Sequence, residues 1–214
     1  MSTALKLRKQ RSKSLAASIV ELVIIVAVAL GLALAIQAFI VKPYRIPSGS
    51  MEPTLSVGQR VLVNRIGMDL GSPHVGQIVV FHPPEGADSE RCGRAQSAGE
   101  ACSEPVDKKS SVNFIKRIVA GPGDEMYIKE GHVFRKAKGT SQFLREKDSY
   151  IRECASNTEC TFSKPIKIPA GHYFMMGDNR GESDDSRFWG PVPTSWIIGE
   201  AFFTYWPIDR IGPI

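Results

Sequence analysis

Asn113-Phe114-Ile115-Lys116-Arg117-Ile118-Val119 alternates like a β-strand and carries two adjacent bases. Successive side chains of a strand point to opposite faces, so Lys116 and Ile118 share one face. Arg117 and Val119 share the other. The segment therefore predicts a strand with a base on each face, and the alternation leaves open which of the two bases is desolvated.

Six other short segments have the composition of strands and are bounded by turn residues such as Gly58 and Gly76. Glu130 and Gly131 lie between two apolar stretches and predict a tight hairpin. After Val41, no window of ten residues shows a convincing helical period. We therefore predict a mainly β structure, with strands at Arg60–Val63, Gln77–Phe81, Asn113–Val119, Met126–Ile128, His132–Phe134, Tyr173–Met176 and Glu200–Trp206.

An apolar run from Leu22 to Val41 is interrupted only by Gln37 and has about the length that crosses a bilayer as a helix. The alternative is a cleaved secretory signal, because residues 33–35 form an A-x-A pattern. The run continues beyond that pattern, which favours an uncleaved anchor. A buried core helix is disfavoured because the run has no amphipathic stripe. We predict one transmembrane helix over residues 18–41.

The formal net charge of +5 is concentrated in the amino-terminal tail. Five bases precede the first acid, Glu21, and the residues after Glu21 carry 22 bases and 21 acids. This distribution argues against nucleic-acid binding. Only Lys42 and Arg45 follow closely on the other side of the apolar run. The positive-inside rule therefore places residues 1–17 in the cytoplasm and residues 42–214 outside the membrane.

The cysteines are even in number and all lie in the part predicted to be extracytoplasmic, which favours disulfides. No C-x-x-C pair is present, which disfavours a zinc or thioredoxin site. Three connectivities are possible. The short spacings favour two local bridges, Cys92–Cys102 and Cys154–Cys160. The segments that carry them, residues 83–111 and 136–164, differ in composition from the strands and are predicted to be disulfide-bonded insertions.

Ser48-Gly49-Ser50, flanked by Pro47 and Pro53, is an ordinary loop by composition but also suits a nucleophile. Glycine lets the backbone approach a substrate closely, and the prolines restrict the flanking chain. A serine hydroxyl still needs a base. No histidine lies in a recognisable hydrolase motif; the four are His74, His82, His132 and His172.

A lysine held neutral by burial is the remaining candidate for the base. Arginine stays protonated in proteins, whereas burial can lower the pKa of a lysine from about 10.4 by several units. Chemistry therefore favours Lys116 over Arg117. Taken alone, the segment is more typical of a solvated lysine on an edge strand.

Residues 177–187 mix small, acidic, basic and hydroxyl side chains after the apolar run Tyr173–Met176. A solvated, charged turn is the default interpretation. A calcium loop is disfavoured because the spacing departs from the helix-loop-helix pattern and no flanking helices are predicted. We expect no metal and no other cofactor.

Four motifs, in this order, resemble those of the bacterial type I signal peptidases, also called leader peptidases. They are P-S-G-S-M-x-P-T-L at 47–55, G-x-I-V-V-F at 76–81, K-R-x-x-x-G-P-G-D at 116–124 and G-D-N-R-x-x-S-x-D-S-R at 177–187. The resemblance implies an antiparallel β-sheet catalytic domain of the signal peptidase type, with one N-terminal transmembrane α-helix. It covers nearly the whole chain from the anchor to Gly190.

The resemblance also implies roles for individual residues. Ser50 would attack the scissile carbonyl, and neutral Lys116 would accept its proton. Ser183 would hydrogen-bond the lysine amine, and the hydroxyl of Ser48 would form an oxyanion hole with the backbone N–H of Ser50. The residues implied as scaffolding are the pairs Asp178 with Arg117 and Asp185 with Arg187. The residues implied as pockets for small side chains are Ile46, Met51, Leu55 and Ile115.

The implied partners are the signal peptides of exported precursor proteins and the lipid bilayer. The implied cut follows an Ala-X-Ala pattern, with the peptide bound in an extended conformation against the sheet. A rival from another class is an inactive, membrane-tethered β module that only binds exported peptides. A rival enzyme is a self-cleaving repressor-type protease, but such proteins carry a DNA-binding domain where this chain has an apolar run.

Overall fold

The computed structural model describes residues 15–66, 71–155 and 160–214, which form two compact units. The first contains helix α1 (Leu15–Phe39), whose side chains from Leu15 to Ala35 are all exposed. By length and composition, Leu15–Ala35 could cross a membrane, with a mean hydropathy of 2.7. The helix begins three residues before the predicted span of 18–41, and it ends before Val41 because β1 begins there. Most of the predicted basic tail lies outside the described residues.

The second unit, from Ile40 to Ile214, is built from short strands. They are β1 (Val41–Arg45), β2 (Arg60–Asn64), β3 (Ile78–Phe81), β4 (Phe114–Ala120), β5 (Glu125–Lys129), β6 (His132–Lys136), β7 (Leu144–Arg145), β8 (Phe162–Lys167), β9 (His172–Met176), β10 (Val192–Pro193), β11 (Ile197–Trp206) and β12 (Gly212–Pro213). The α-helix described in this unit is one turn, α2 (Ser186–Trp189).

Two sheets contain these strands, and every pairing between named strands is antiparallel. The larger has the order β1-β2-β11-β3-β4-β9-β10, with β12 also on β11, and the smaller has the order β7-β6-β5-β8. Glu130 and Gly131 connect β5 to β6 with positive φ angles of 52° and 81°. Those angles suit a two-residue hairpin turn. The mainly β, antiparallel prediction and the hairpin are confirmed.

Three apolar clusters form the core. One joins β4 and β9 to the smaller sheet through Val119, Phe174 and Met126. A second surrounds Met51 and Leu55 and includes side chains of β2 and β3. The third packs around the indole of Trp189, which is part of α2. These contacts hold the segment after β1 and the segment after β9 against the same sheet.

β4 lies between β3 and β9 in the larger sheet. Lys116 is in register with Val79 of β3, and Arg117 is in register with Met176 of β9. Because β4 and β9 are antiparallel, the chain that leaves β9 at Gly177 passes beside Lys116. The register thus brings two of the four sequence motifs together.

The two disulfides are the local ones that the spacing favours, Cys92–Cys102 and Cys154–Cys160. The segment 83–111, predicted to be an insertion, lies in the long connection from β3 to β4. The segment 136–164, also predicted to be an insertion, contains β7 and the start of β8. Residues 156–159 lie outside the described part of the chain.

Candidate active site

Ser50 lies in one turn of 3-10 helix, Gly49–Met51, in the segment that connects β1 to β2. Ser50 is 7% exposed, and its carbonyl oxygen accepts a 3.0 Å hydrogen bond from the backbone N–H of Asn179. The side-chain amide of Asn179 donates to the carbonyl oxygen of Gly49 at 3.2 Å. The loop after β9 therefore holds the turn that carries Ser50 through two hydrogen bonds.

Lys116 meets this turn from β4. Its Nζ lies 2.6 Å from Ser50 Oγ, and the residue is only 4% exposed. Burial lowers the pKa of Lys116 from 10.5 to about 8, against the opposing effects of the Asp185, Asp184 and Asp178 carboxylates. A lysine in this state is neutral in a useful fraction of molecules near neutral pH and can accept a proton from a hydroxyl in contact with it.

The other two predicted hydroxyls differ in their contacts. Ser48 Oγ lies 3.4 Å from Ser50 Oγ, at the outer limit of a hydrogen bond. Ser183 Oγ is buried and has no hydrogen-bond partner among the described residues, so the bond expected from it to Lys116 is not formed. The lysine amine is directed at Ser50 instead. A methyl group on Gly177 would overlap with both Ser183 Oγ and the carbonyl oxygen of Ser50, which places the three residues in direct contact.

Both predicted ion pairs are present. Arg117 donates to Asp178 through Nε at 2.9 Å and through a terminal nitrogen at 2.7 Å. Arg187 does the same to Asp185, at 2.7 and 3.0 Å, where both side chains are buried. Burial alone would raise the pKa of Asp185, but the charge and hydrogen bonds of Arg187 hold it below its ordinary value. These pairs keep the loop after β9 in a single arrangement.

The Ser50 hydroxyl and the Lys116 amine belong to residues that line a cleft of about 570 Å³. Of the four residues expected to form pockets, Ile46 and Ile115 line this cleft, whereas Met51 and Leu55 are fully buried beneath it. The difference arises because the turn at Gly49–Met51 directs the Met51 side chain into the core. Met51 and Leu55 therefore support the wall of the cleft from behind.

Several cleft residues were not anticipated from the sequence. Tyr44 and Val80 add to the apolar wall, and Glu182 and Asp184 add two exposed carboxylates. The carboxylates occupy the variable positions of the fourth motif, so a motif match gives no reason to select them. Their position on either side of Ser183 is the signal that could have identified them. Among the residues that the structure describes, which include all four histidines, no histidine lines the cleft.

Comparison with known proteins gives a consistent set of relatives. The family model described as "Signal peptidase, peptidase S26" matches residues 19–206. The probable signal peptidase I-2 of Synechocystis sp. is 34% identical over 181 residues, which cover 85% of this chain and 70% of that protein. The signal peptidase I of Leptolyngbya laminosa is 36% identical over 183 residues, which cover 86% and 77%. A crystal structure of a signal peptidase I from Enterococcus faecalis matches 61% of this chain and 97% of its own, with a TM-score of 0.35 and 19% identity.

Proposed function

Because this chain belongs to the signal peptidase family (peptidase S26), a family of serine proteases, we propose that it cleaves signal peptides from exported precursors with Ser50 as nucleophile and Lys116 as base. The observation that carries the residue assignment is the 2.6 Å separation of Lys116 Nζ and Ser50 Oγ at the floor of a cleft. Burial of both groups supports it, because a desolvated lysine gives up its proton readily.

In the proposed reaction, the neutral amine of Lys116 takes the hydroxyl proton as Ser50 Oγ attacks the scissile carbonyl. The backbone N–H of Ser50 and the hydroxyl of Ser48 stabilise the negative oxygen of the tetrahedral intermediate. The lysine ammonium then protonates the departing amine, which leaves an acyl-enzyme on Ser50. A water molecule, deprotonated by the same lysine, hydrolyses the ester.

Ser183 has a positioning role in this proposal. Its hydroxyl is buried beside Gly177, and its carbonyl oxygen accepts a 2.9 Å hydrogen bond from Arg187. Arg187 is in turn held by Asp185, which also accepts a 3.0 Å hydrogen bond from the N–H of Gly177. A rotation of the Ser183 hydroxyl toward Lys116 would fix the amine for each proton transfer.

The proposed specificity is for small side chains before the cut, in an Ala-X-Ala pattern. Ile46 and Ile115 line the cleft, with Tyr44 and Val80 beside them, and they leave room for side chains of limited size. An extended peptide would lie along this wall and add a strand to the sheet. Met51 and Leu55 would set the depth of the pockets indirectly, from the core.

We also propose that the enzyme is a single-pass membrane protein, with the basic tail in the cytoplasm, helix α1 (Leu15–Phe39) as the anchor and the second unit, Ile40–Ile214, outside. The apolar helix α1 supports an anchor, and the basic tail supports the orientation. The second unit also exposes large apolar side chains toward its carboxyl end, with Ile208 at 73%, Ile211 at 52% and Trp206 at 47%. Such a surface suits contact with lipid.

The proposal is tested with the purified full-length chain in detergent and a labelled precursor, with the new amino terminus sequenced. Wild-type protein is expected to cut after the Ala-X-Ala pattern, and Ser50→Ala and Lys116→Ala are expected to be inactive. Alanine variants of the histidines are the matched controls and should retain cleavage; they are His74, His82, His132 and His172. Loss of cleavage in any histidine variant would contradict a lysine base.

A further inference from the structure

Two carboxylates in the cleft have no part in the proposed mechanism. Glu182 and Asp184 both line the cavity that contains Ser50 and Lys116, and both are exposed. They flank Ser183, which is 4% exposed and has no hydrogen-bond partner among the described residues. An exposed charge that faces a bound substrate affects which substrates bind.

Glu182 is fixed close to the nucleophile. The side-chain amide of Asn179 donates to Glu182 Oε2 at 3.1 Å and to the carbonyl oxygen of Gly49 at 3.2 Å. One amide group therefore connects this carboxylate to the residue before Ser50. Asn179 is itself buried, so the carboxylate is held in place and does not move freely in solvent.

Asp184 lines the same cavity as Lys116, and its charge opposes the lowering of the Lys116 pKa by burial. The neighbouring Asp185 points the other way, into the buried pair with Arg187. The loop after β9 thus presents two carboxylates to the cavity that contains Ser50 and Lys116.

The two groups of cleft residues are assigned to different parts of the substrate. Residues 44–48 and 113–115 line the apolar part of the cleft, which the proposed function assigns to the residues before the cut, and this leaves the carboxylates for the residue after it. Glu182 and Asp184 come from a different loop and lie where the catalytic pair lies. The apolar part of the cleft also contains the cationic side chain of Arg45, which lies in the segment that precedes Ser50.

We propose, on the basis of the proposed function, that Glu182 and Asp184 make the enzyme select substrates by the charge of the first residue after the cut. A basic residue there is favoured by the two carboxylates, and an acidic residue is repelled by them. The pair therefore acts as a specificity element for the start of the mature chain, separate from the apolar pockets that read the residues before the cut.

The test uses three precursors that differ only in the residue after the cut, which is lysine, alanine or aspartate. The full-length wild type is expected to prefer lysine over aspartate by about tenfold in kcat/KM at low salt, and by less at high salt. In the Glu182→Gln/Asp184→Asn double variant, the ratio is expected to fall to about 1–2. The two precursors are compared on the same enzyme, so a change in the protonation of Lys116 caused by the variant affects both rates equally and leaves their ratio unchanged. Asp209→Asn, which removes an exposed carboxylate outside the cleft, is the control and should keep the wild-type ratio.

Three results would overturn the proposal: equal rates of the wild type on the lysine and aspartate precursors, an unchanged ratio in the double variant, or a charge effect that appears only when the charge is placed two residues before the cut. Failure of the proposed function would be recognised separately. In that case the wild type would not cleave the precursor with alanine after the cut.

Discussion

Lys116 Nζ and Ser50 Oγ are 2.6 Å apart, and one residue comes from a strand of the larger sheet while the other comes from the turn after β1. Several carboxylates around the amine raise its pKa, but burial lowers it by more and leaves it at about 8. Desolvation therefore outweighs the local negative charge. The amine is poised to exchange a proton with the hydroxyl near neutral pH.

Activity should rise with pH as Lys116 loses its proton. With a pKa of about 8, the neutral fraction increases about tenfold between pH 6 and pH 7 and reaches one half near pH 8. We expect kcat/KM for a labelled precursor to follow this fraction and to level off above pH 9. Circular dichroism over the same range is the control for unfolding. A flat profile between pH 5 and pH 8 would contradict a neutral amine as the base.

Replacing the base should stabilise the protein while abolishing cleavage. Below pH 8 the lysine is protonated in both the folded and the unfolded state, so the folded state bears the full cost of a buried ammonium. As the pH rises from about 8 to 10.5, the folded state loses its proton first and that cost disappears. We expect Lys116→Met to raise the free energy of unfolding by roughly 1–3 kcal/mol at pH 7 and by much less near pH 10. Ser50→Ala is the matched control, because it removes activity and retains the amine; equal stability of the two variants at pH 7 would refute the argument.

Gly177 should not tolerate a side chain. A methyl group there would overlap with the hydroxyl of Ser183 and with the backbone of Ser50, and backbone has little freedom to move away. We expect Gly177→Ala to lower kcat by about 100-fold or more, since small displacements of a nucleophile have effects of that size. Gly212→Ala, at a site with open space around it and no positive φ, is the comparison for the effect of the mutation alone. Near wild-type kcat in Gly177→Ala would mean that Ser50 does not depend on this contact.

The β character of the chain could be predicted because seven strands have apolar runs between turn residues. β1 and β8 were missed for a physical reason: Pro43 and Pro165 interrupt them, and a proline disfavours a strand prediction. β1 is an edge strand, where a missing N–H is tolerated. β7, β10 and β12 have two residues each, too few for a periodic pattern.

The site could be predicted only in part. Alternation along β4 placed Lys116 and Arg117 on opposite faces but gave no information on which face meets the serine turn. The contact between Lys116 Nζ and Ser50 Oγ at 2.6 Å settles this geometry, because it places the serine turn on the Lys116 face of β4. Sequence motifs also gave no information on which apolar residues face the cleft, so Met51 was grouped with Ile46 although it packs in the core.

The ion pair of Arg117 with Asp178 should contribute more to stability than an exposed pair. Its side chains are 12% and 0% exposed, and Asp178 also accepts a 2.5 Å hydrogen bond from Thr54. Removing Arg117 would leave the buried Asp178 carboxylate with the Thr54 hydrogen bond but without the positive charge of its partner, so Arg117→Ala is expected to cost about 3 kcal/mol in the free energy of unfolding. Lys108→Ala breaks an exposed pair with Glu85 and is expected to cost less than about 1 kcal/mol. If urea unfolding showed similar losses of free energy of unfolding in Arg117→Ala and Lys108→Ala, the role assigned to burial would be contradicted.

The Cys154–Cys160 disulfide lies beside the loop that holds Ser50. The backbone N–H of Arg152, two residues before Cys154, donates to the carbonyl oxygen of Asp178 at 2.8 Å. The N–H of Arg180 donates to the carbonyl oxygen of Arg152 at 3.1 Å. These two bonds flank Asn179, the residue that bonds to Ser50.

Replacing Cys154 and Cys160 together with alanine should therefore lower both stability and turnover. We expect a loss of about 2–3 kcal/mol in the free energy of unfolding, from the greater freedom of the unfolded chain. We also expect kcat to fall several-fold, measured well below the unfolding temperature, because the segment around Arg152, which bonds on either side of Asn179, is no longer tethered by the disulfide. The Cys92→Ala/Cys102→Ala variant is the control, because the disulfide that it removes also closes a short loop. The backbone N–H of Cys102 donates to the carbonyl oxygen of Arg187, so this disulfide does not lie next to Asn179. It should lose similar stability and keep most of its kcat, and equal losses of kcat in the two double variants would show that the effect is not specific to the Ser50 loop.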